Sequence, residues 1–344
     1  MAGEERTAAR FVSLFQALAQ APHEFDFFQA LRKLESLFRE KPRIGTSLRP
    51  ADDAIRIGQE PSLAFAPATL ASFDLGEGGR PPRLKQFFLG VFGPNGPLPL
   101  HLTEFARDRE RNAADKTLAR FADMFHHRLL ALFYRAWASA QPTVNFDRPE
   151  EDRFAFYLGS TFGLGMPALR ERDALPDLAK LYFAGLLSGQ TRHSTGLSAM
   201  LAEYFGVPVR VEEFVGHWVE LAEDSMTRLG SSPATGLLGI NAVIGEKVWD
   251  CQHKFRITVG PVGYADYQRL LPGGDSLRKL VALVRNVIDD GLSWNLKLIL
   301  KKEEVPPLVL GKAGQLGWTT WAKTKPLACD ADDLELDAVA YVRP

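Results

Sequence analysis

Residues 61–99 carry seven prolines and six glycines, and this constrains the fold more than any other part of the chain. Each proline fixes φ and removes an amide donor, so neither a helix nor a central strand runs through such a segment. Its apolar residues, among them Leu63, Phe65, Leu70, Phe73, Phe87, Phe88 and Phe92, argue against disorder. A long segment that is both irregular and apolar is expected to be functional. Over the whole chain, 29 glycines and 22 prolines predict more turns and loops than a compact enzyme needs.

Regular elements flank this segment. Phe11, Leu14, Phe15 and Leu18 follow the i, i+3, i+4, i+7 spacing of an amphipathic helix that stops at Ala21-Pro22. A second helix from about Phe25 carries Phe27, Phe28, Leu31, Leu34, Leu37 and Phe38 over a wide face. Ile55 and Ile57 alternate with polar residues as in a strand. Thr103, with Glu104 in the first turn, reads as the N-cap of a long helix to about Ser139, broken near Asn112. Leu118, Phe121, Phe125, Leu129, Leu132 and Ala136 form its apolar stripe.

Helices are expected at 177–187 and 196–205, the second stopped by Gly206, before a strand at 207–211. A second irregular stretch covers 223–245. A strand at 255–259 then leads through Gly260-Pro261 to a helix capped by Asp275, followed by strand-like pieces at 296–300 and 308–310 and a Trp-rich turn around Trp318. The expected class is α+β, with N-terminal aromatic-rich helices and a body of helices and short strands bearing two long irregular loops. Helix, strand, irregular stretch, Gly-Pro turn and helix recur in that order in both halves, as a degenerate duplication would produce. The expected divisions are 1–41, 42–145 and 146–344.

The 41 Lys and Arg balance 42 Asp and Glu, so no whole-chain field draws this protein to nucleic acid or an anionic membrane. Cys251 and Cys329 cannot form a disulfide framework or a zinc spacing, and reduced thiols in a cytoplasmic protein are expected. The apolar run at 11–19 imitates a signal peptide, but Glu4 and Glu5 precede it and Gln16 interrupts it. No apolar run approaches the roughly 18 residues of a membrane span.

Catalytic motifs are scarce. Gly163-Leu164-Gly165-Met166-Pro167-Ala168 fits G-x-G-x-x-A after a strand-like run at 154–158, which keeps a cryptic anion- or nucleotide-binding enzyme as the alternative reading. A dinucleotide fold needs an acidic residue at a strand end about 20 residues on, where a helix is expected instead. His126 and His127 are neighbours on a helix and point about 100° apart, which suits packing better than a shared metal. His193, beside Arg192 and Ser194 at a helix approach, is placed either to bind an anion or to cap the helix, and the cap is favoured; nothing in the sequence sets the geometry of Asp52-Asp53 or of Asp250 with His253. No catalytic residues, cofactor or metal are expected.

Two segments carry a family resemblance. The first is Leu89-Gly90-Val91-Phe92-Gly93-Pro94-Asn95-Gly96-Pro97-Leu98-Pro99-Leu100-His101-Leu102-Thr103-Glu104. The second is Val248-Trp249-Asp250-Cys251-Gln252-His253-Lys254-Phe255-Arg256-Ile257, running on to Gly260-Pro261, Tyr267 and Leu271-Pro272-Gly273-Gly274. With Leu283-Val284-Arg285 and Leu316-Gly317-Trp318-Thr319, these resemble the TssG (ImpH/VasB) family of type VI secretion baseplate subunits. Val91 departs from the leucine common there.

The resemblance implies a non-enzymatic subunit that assembles with a pair of TssF subunits into a baseplate wedge. It implies extended loops that engage TssK trimers, the sheath initiator TssE in the same wedge, and a cytoplasmic assembly at the inner face of the membrane without insertion into it. The expected partner contacts are Phe27, Phe28 and Leu31 on the second helix. In the stretch 61–85 they are Phe65, Leu70 and Phe73, and in 223–245 they are Met226, Leu229, Leu237 and Leu238. Gly93, Pro94, Gly96, Pro97 and Pro99 are expected to form a rigid corner feeding the helix at Thr103 and Glu104. Trp249, Asp250, Gly260, Pro261, Gly273 and Trp318 are the architectural residues expected in the second half.

Overall fold

The computed structural model describes residues 13–76, 80–228, 230, 233–288, 291–308, 314–323 and 325–342. Helices and short strands form an α+β arrangement in two compact units, Met1–Ala155 and Phe156–Pro344.

In the first unit, α1 (residues 13–20) leads to α2 (Phe27–Leu37), which is capped by Asp26; its carboxylate accepts from the amides of Phe28 at 2.9 Å and Gln29 at 3.4 Å. β1 (Arg56–Gln59), β2 (Leu70–Asp74) and β3 (Arg83–Gln86) form a sheet in the order β1-β3-β2, with β1 parallel and β2 antiparallel to β3. The stretch 61–85 is therefore not irregular throughout. Pro67, Pro81 and Pro82 lie outside the strands, where no ladder amide is needed. Leu70 and Phe73 are buried in the core and unavailable to a partner.

Three helices follow, α3 (Leu100–Asn112), α4 (Thr117–Ser139) and α5 (Pro142–Phe146). Phe27, Ala30, Leu31 and Leu34 of α2 pack with Ile57, Leu70, Leu84 and the Leu130, Ala131, Tyr134 and Ala138 side of α4. Phe27 and Leu31 are thus interior, against expectation, because α2 turns its widest apolar face inward. Phe28 sits at the margin of this core, its ring against Phe133 and Trp137. Buried Glu35 accepts from the amide of Ile44 at 2.9 Å, the hydroxyl of Tyr134 at 3.1 Å and Arg135 at 3.2 Å. Arg148 donates to the carbonyls of Glu35 at 2.8 Å and Phe38 at 2.9 Å, which the end of α2 leaves without helical partners.

The contact of α4 with β1 is polar. β1 lies at the sheet edge, and the amides of Arg56 and Glu60 point inward, to Pro82 and Gln86 carbonyls. The amides of Ile57 and Gln59 point outward, where the Nδ1 of His127 accepts the first at 3.1 Å and the carboxylate of Asp123 the second at 3.0 Å. A rise of roughly 6 Å over four helical residues matches the roughly 6.6 Å between alternate strand residues. His127, accepting at Nδ1, carries its proton on Nε2 and donates to Asp53 at 2.8 Å.

The proline-rich corner is held by side chains from this framework. Gln59 and Gln86 are register partners on β1 and β3. Gln59 accepts from the amide of Phe92 at 2.9 Å and donates to the carbonyl of the same residue at 2.7 Å. Gln86 grips both backbone groups of Leu89 in the same way. His126 accepts from the amide of Val91 at 3.1 Å. Gly93 adopts φ +103°, a conformation that disfavours a β-branched residue.

Thr103 is not a cap. α3 begins at Leu100 after Pro99, whose preset φ and missing amide suit a helix start. Thr103 is fully buried inside α3, and its hydroxyl accepts from the amide of Gly93 at 3.2 Å. The expected break near Asn112 separates α3 from α4, with Ala114 at φ +53° between them.

The division between units falls in α6 (Arg153–Ser160), which replaces the strand expected at 154–158; the carboxylate of Asp152 accepts from the amide of Ala155 at 2.9 Å, nucleating a helix. In the second unit α7 (Asp177–Tyr182), α8 (Ala184–Leu187) and α9 (Ser194–Phe205) follow, and Gly206 ends α9 at φ +66°. After β4 (Val209–Glu212) comes an excursion of β5 (His217–Glu220), one-turn α10 (Pro233–Gly236) and β6 (Lys247–Asp250).

Then come β7 (Lys254–Val262), α11 (Tyr264–Leu270), α12 (Asp275–Val287), β8 (Ser293–Leu300) and β9 (Ala331–Leu336). The main sheet has the order β4-β7-β8-β9, with β7 and β8 parallel through the α11–α12 crossover. Ile257, Val259, Leu296 and Leu298 pack against Leu280, Val281 and Val284 of α12 and Leu197 and Leu201 of α9. Gly260-Pro261 is not a turn beyond the strand. It lies inside β7 with a cis peptide, where the register shifts between Val259 and Val262. Asp275 is the first residue of α12, with Gly274 as its N-cap. Gly273, at φ +95°, makes the turn before it, and the hydroxyl of buried Tyr267 donates to the carbonyl of Trp318 at 2.9 Å. Of the strand-like piece at 308–310, residues 309 and 310 lie outside the described residues.

Phenylalanine at His126 or His127 leaves a backbone amide without its acceptor. Each substitution should lower stability by about 1–3 kcal/mol, measured as a shift of the urea midpoint. Thr103→Ala should cost a similar amount and Thr103→Ser should recover most of it, whereas a cap role predicts a loss of only about 1 kcal/mol.

Candidate docking surfaces

Three kinds of surface were built by these elements: an apolar hairpin tip, an apolar helix face and a set of clefts. The hairpin pairs β5 and β6 antiparallel, with Trp218 opposite Trp249 and their rings 5.4 Å apart. Gly216 lies under the Trp249 ring, where a β-carbon would collide with it. The amide of Leu221 donates to Glu246 and extends the ladder, and Lys247 pairs with Glu220 at 2.9 Å. At the base, the carboxylate of Asp250 accepts from the side chain of His253 at 2.9 Å and from the amides of Gln252 and His253. The His253 bond, with help from those amides, holds the Asp250 carboxyl below its ordinary range. This arrangement is a turn closed by the Asp250 carboxylate.

The far end of the hairpin is organised by its own polar groups. The side chain of Asn241 accepts from the amide of Leu237 at 2.9 Å and donates to the carbonyl of Ala234 at 2.7 Å. Thr227 donates to the carbonyl of Thr235 at 2.7 Å and accepts from the amide of Val243 at 3.0 Å. Outside this frame Leu238 is 91% exposed and Ile244 97%. Ile240 is also largely exposed, Leu237 less so, and Met226 is half-buried. Leu229 lies outside the described residues. Ile240 and Ile244 were missed by the sequence reading, although they sit within the same 223–245 stretch.

The second surface is the outer face of α4. Phe121, Phe125, Leu129 and Leu132 are exposed, together with Met124 and Phe133. The sequence identified this stripe, but nothing in it showed that the opposite side, with Asp123, His126 and His127, would be the buried one.

Of the contacts expected from 61–85, Phe65 alone stays at the surface, on a cleft of about 430 Å³ beside Phe88 and the Gly93–Gly96 turn. A cleft of about 650 Å³ lies in the second unit near Arg192, His193, Glu213 and Lys254. Its polar side chains are partly committed. Arg192 donates to the carbonyls of Leu186, Leu187 and Gly189, and the Nδ1 of His193 accepts from the amide of Gly196 at 2.8 Å as the cap of α9. The Gly163 to Ala168 segment follows helix α6 and runs into a one-turn 3-10 helix (Pro167–Leu169), so it lacks the strand–loop–helix setting of a phosphate cradle. Among the described residues no three His, Cys, Asp or Glu side chains come together as metal ligands, and no helix is long and apolar enough to cross a membrane.

The family model described as Type VI secretion, TssG, matches residues 21–323. No curated protein matches the chain. Two solved structures share the fold. One is a chain of the baseplate complex from the type VI secretion system, at TM-score 0.66 and 24% identity, covering 96% of this chain and 94% of that one. The other is a chain of the TssK-TssF-TssG baseplate subcomplex of a type VI secretion system, solved by cryo-electron microscopy, at TM-score 0.52 and 24% identity over 61% of this chain and 88% of that one.

Serine at Leu238, Ile244 or Leu129 should leave thermal stability within about 0.5 kcal/mol of the parent, because none of the three contributes to a core. Gly216→Val should separate Trp249 from Trp218. The expected readout is loss of the paired-tryptophan signal in near-ultraviolet circular dichroism and faster amide exchange in β5 and β6, with the main sheet unchanged.

Proposed function

The chain belongs to the TssG family of type VI secretion proteins, and from that premise we propose that it is a structural subunit of a type VI secretion baseplate. In this reading it has no catalytic role. It joins a pair of TssF subunits in a wedge, docks TssK trimers and shares the wedge with TssE, in an assembly at the cytoplasmic side of the membrane. Membership of a structural family supports the role, and the two fold relatives, one a chain of a TssK-TssF-TssG baseplate subcomplex and the other a chain of a type VI secretion baseplate complex, support TssF and TssK as partners.

The observation that carries the reading to particular residues is the hairpin from His217 to Asp250. Its tip is braced by Asn241 and Thr227 yet presents Leu238, Ile240 and Ile244 to solvent. An ordered apolar tip of this kind loses little entropy on binding, so most of its burial energy goes into association. We assign the hairpin to TssK. The stretch 61–85, expected to be a second docking loop, keeps only Phe65 for such a role.

The test is co-expression with the TssF and TssK of the same gene cluster. Replacing residues 223–245 by a short Gly-Ser turn should reduce TssK retention about tenfold while TssF retention is unchanged. Undiminished TssK retention would falsify the assignment of the hairpin. Failure of the parent chain to retain either protein would overturn the baseplate reading itself.

A further inference from the structure

Between β1, β3 and α4 lies a cleft of about 330 Å³, lined among others by Arg56, Arg83, Arg120, Asp123, Met124 and His127. Arg56 and Arg83 are register partners on parallel strands, an arrangement in which like charges repel, and Arg120 joins them from α4. Asp123 is the one carboxylate among the residues lining the cleft. It is buried and already engaged by the amide of Gln59 and, at 3.3 Å, by Arg83. Asp74, the register partner of Arg83 on β2, does not line the cleft. Among the described residues, neither Arg56 nor Arg120 has a carboxylate partner. Burial, with Arg120 and more weakly Arg56 nearby, pushes the Arg83 guanidinium below its ordinary value. The fold therefore gathers three cations around one committed anion.

The cleft adjoins the exposed face of α4 at Met124. Along that face Phe121, Phe125, Leu129 and Leu132 recur at spacings of four, four and three, the seam on which a second helix packs. The exposed residues of this helix include Arg120 and Arg128 and no carboxylate. A second copy of α4 is a poor occupant, since it would set arginine against arginine. A free phosphate would account for the cations and leave the seam bare.

We propose that the seam and the cleft form one binding site for an amphipathic helix of a partner protein, its apolar ridge on Phe121, Phe125, Leu129 and Leu132, and an Asp or Glu on its flank seated among Arg56, Arg83 and Arg120. The apolar seam supplies the buried area. The arginines select: a carboxylate relieves their repulsion through charge-assisted hydrogen bonds, whereas a lysine-flanked helix adds to it. The site is defined by chemistry and does not rest on the baseplate assignment.

The test places a photo-crosslinking amino acid at Met124 of the full chain in its native cells and identifies the captured peptide by mass spectrometry. The expected capture is a segment with apolar residues at helical spacing and a flanking Asp or Glu. Arg56→Glu with Arg120→Glu should cut the yield about tenfold, and Lys in place of the partner's carboxylate should restore it. Circular dichroism of the double variant, and an Arg56→Gln and Arg120→Gln pair with an intermediate loss, separate lost binding from lost folding. Capture of a basic or extended segment, of a second copy or of lipid, or no protein capture, would overturn the proposal, as would a yield indifferent to charge reversal. If the crosslink meets these terms while TssF and TssK fail to co-purify, the baseplate reading falls and the helix site stands.

Discussion

Two backbone amides on the outer edge of β1, those of Ile57 and Gln59, govern the first unit. An edge strand exposes a row of donors, and a donor buried without an acceptor costs more than most side-chain contacts return. Here α4 covers the edge, and Asp123 and His127 accept the two bonds that a further strand would have taken. Gly58 lies between them, where a β-carbon would come within 2.6 Å of the Asp123 carboxylate, so the close approach of helix to strand depends on the missing side chain.

That interaction sets the rotation of α4, and much follows from the rotation. With Asp123 and His127 against β1, Leu130, Ala131 and Tyr134 reach the α2 core, and His126 reaches the amide of Val91 at the proline-rich corner. The corner has few amides of its own to pair, and Gln59, Gln86, His126 and Thr103 take up those of Phe92, Leu89, Val91 and Gly93. The aromatic stripe of α4 is then left outside. A helix apolar on its solvent side is a poor choice for a solitary protein and a suitable one for an assembly subunit.

The second unit answers a different requirement. Its parallel β7–β8 pair needs a covered crossover, and α12 supplies seven buried residues to cover it. The β5–β6 hairpin adds nothing to that core. Its order comes from Asn241, Thr227 and the Trp218–Trp249 pair, so it holds an apolar tip in place without the main sheet having to change. A subunit that must hold separate surfaces in fixed form is served by this separation of stable core from presented loop.

Local rules were enough to read α2, the break near Asn112, the stop at Gly206 and the family motifs, because capping, proline and positive-φ effects act over a few residues. The same rules failed wherever the deciding partner was distant in the chain. Thr103 has the chemistry of a cap, yet its bond goes to Gly93, and Pro99 opens the helix. Leu70 and Phe73 look like loop anchors until pairing with β3 takes them inside. Periodicity marks the Phe121–Leu132 stripe as the apolar face of α4, yet the opposite face is the buried one. The outward amides of β1, more than 60 residues earlier, turn that face inward. Sequence alone therefore determined α2, the break before α4, the stop at Gly206 and which family the chain resembles. Tertiary structure decided which faces are buried, because that depends on where unpaired backbone donors end up, and the pairing that leaves them unpaired is formed by residues remote in sequence.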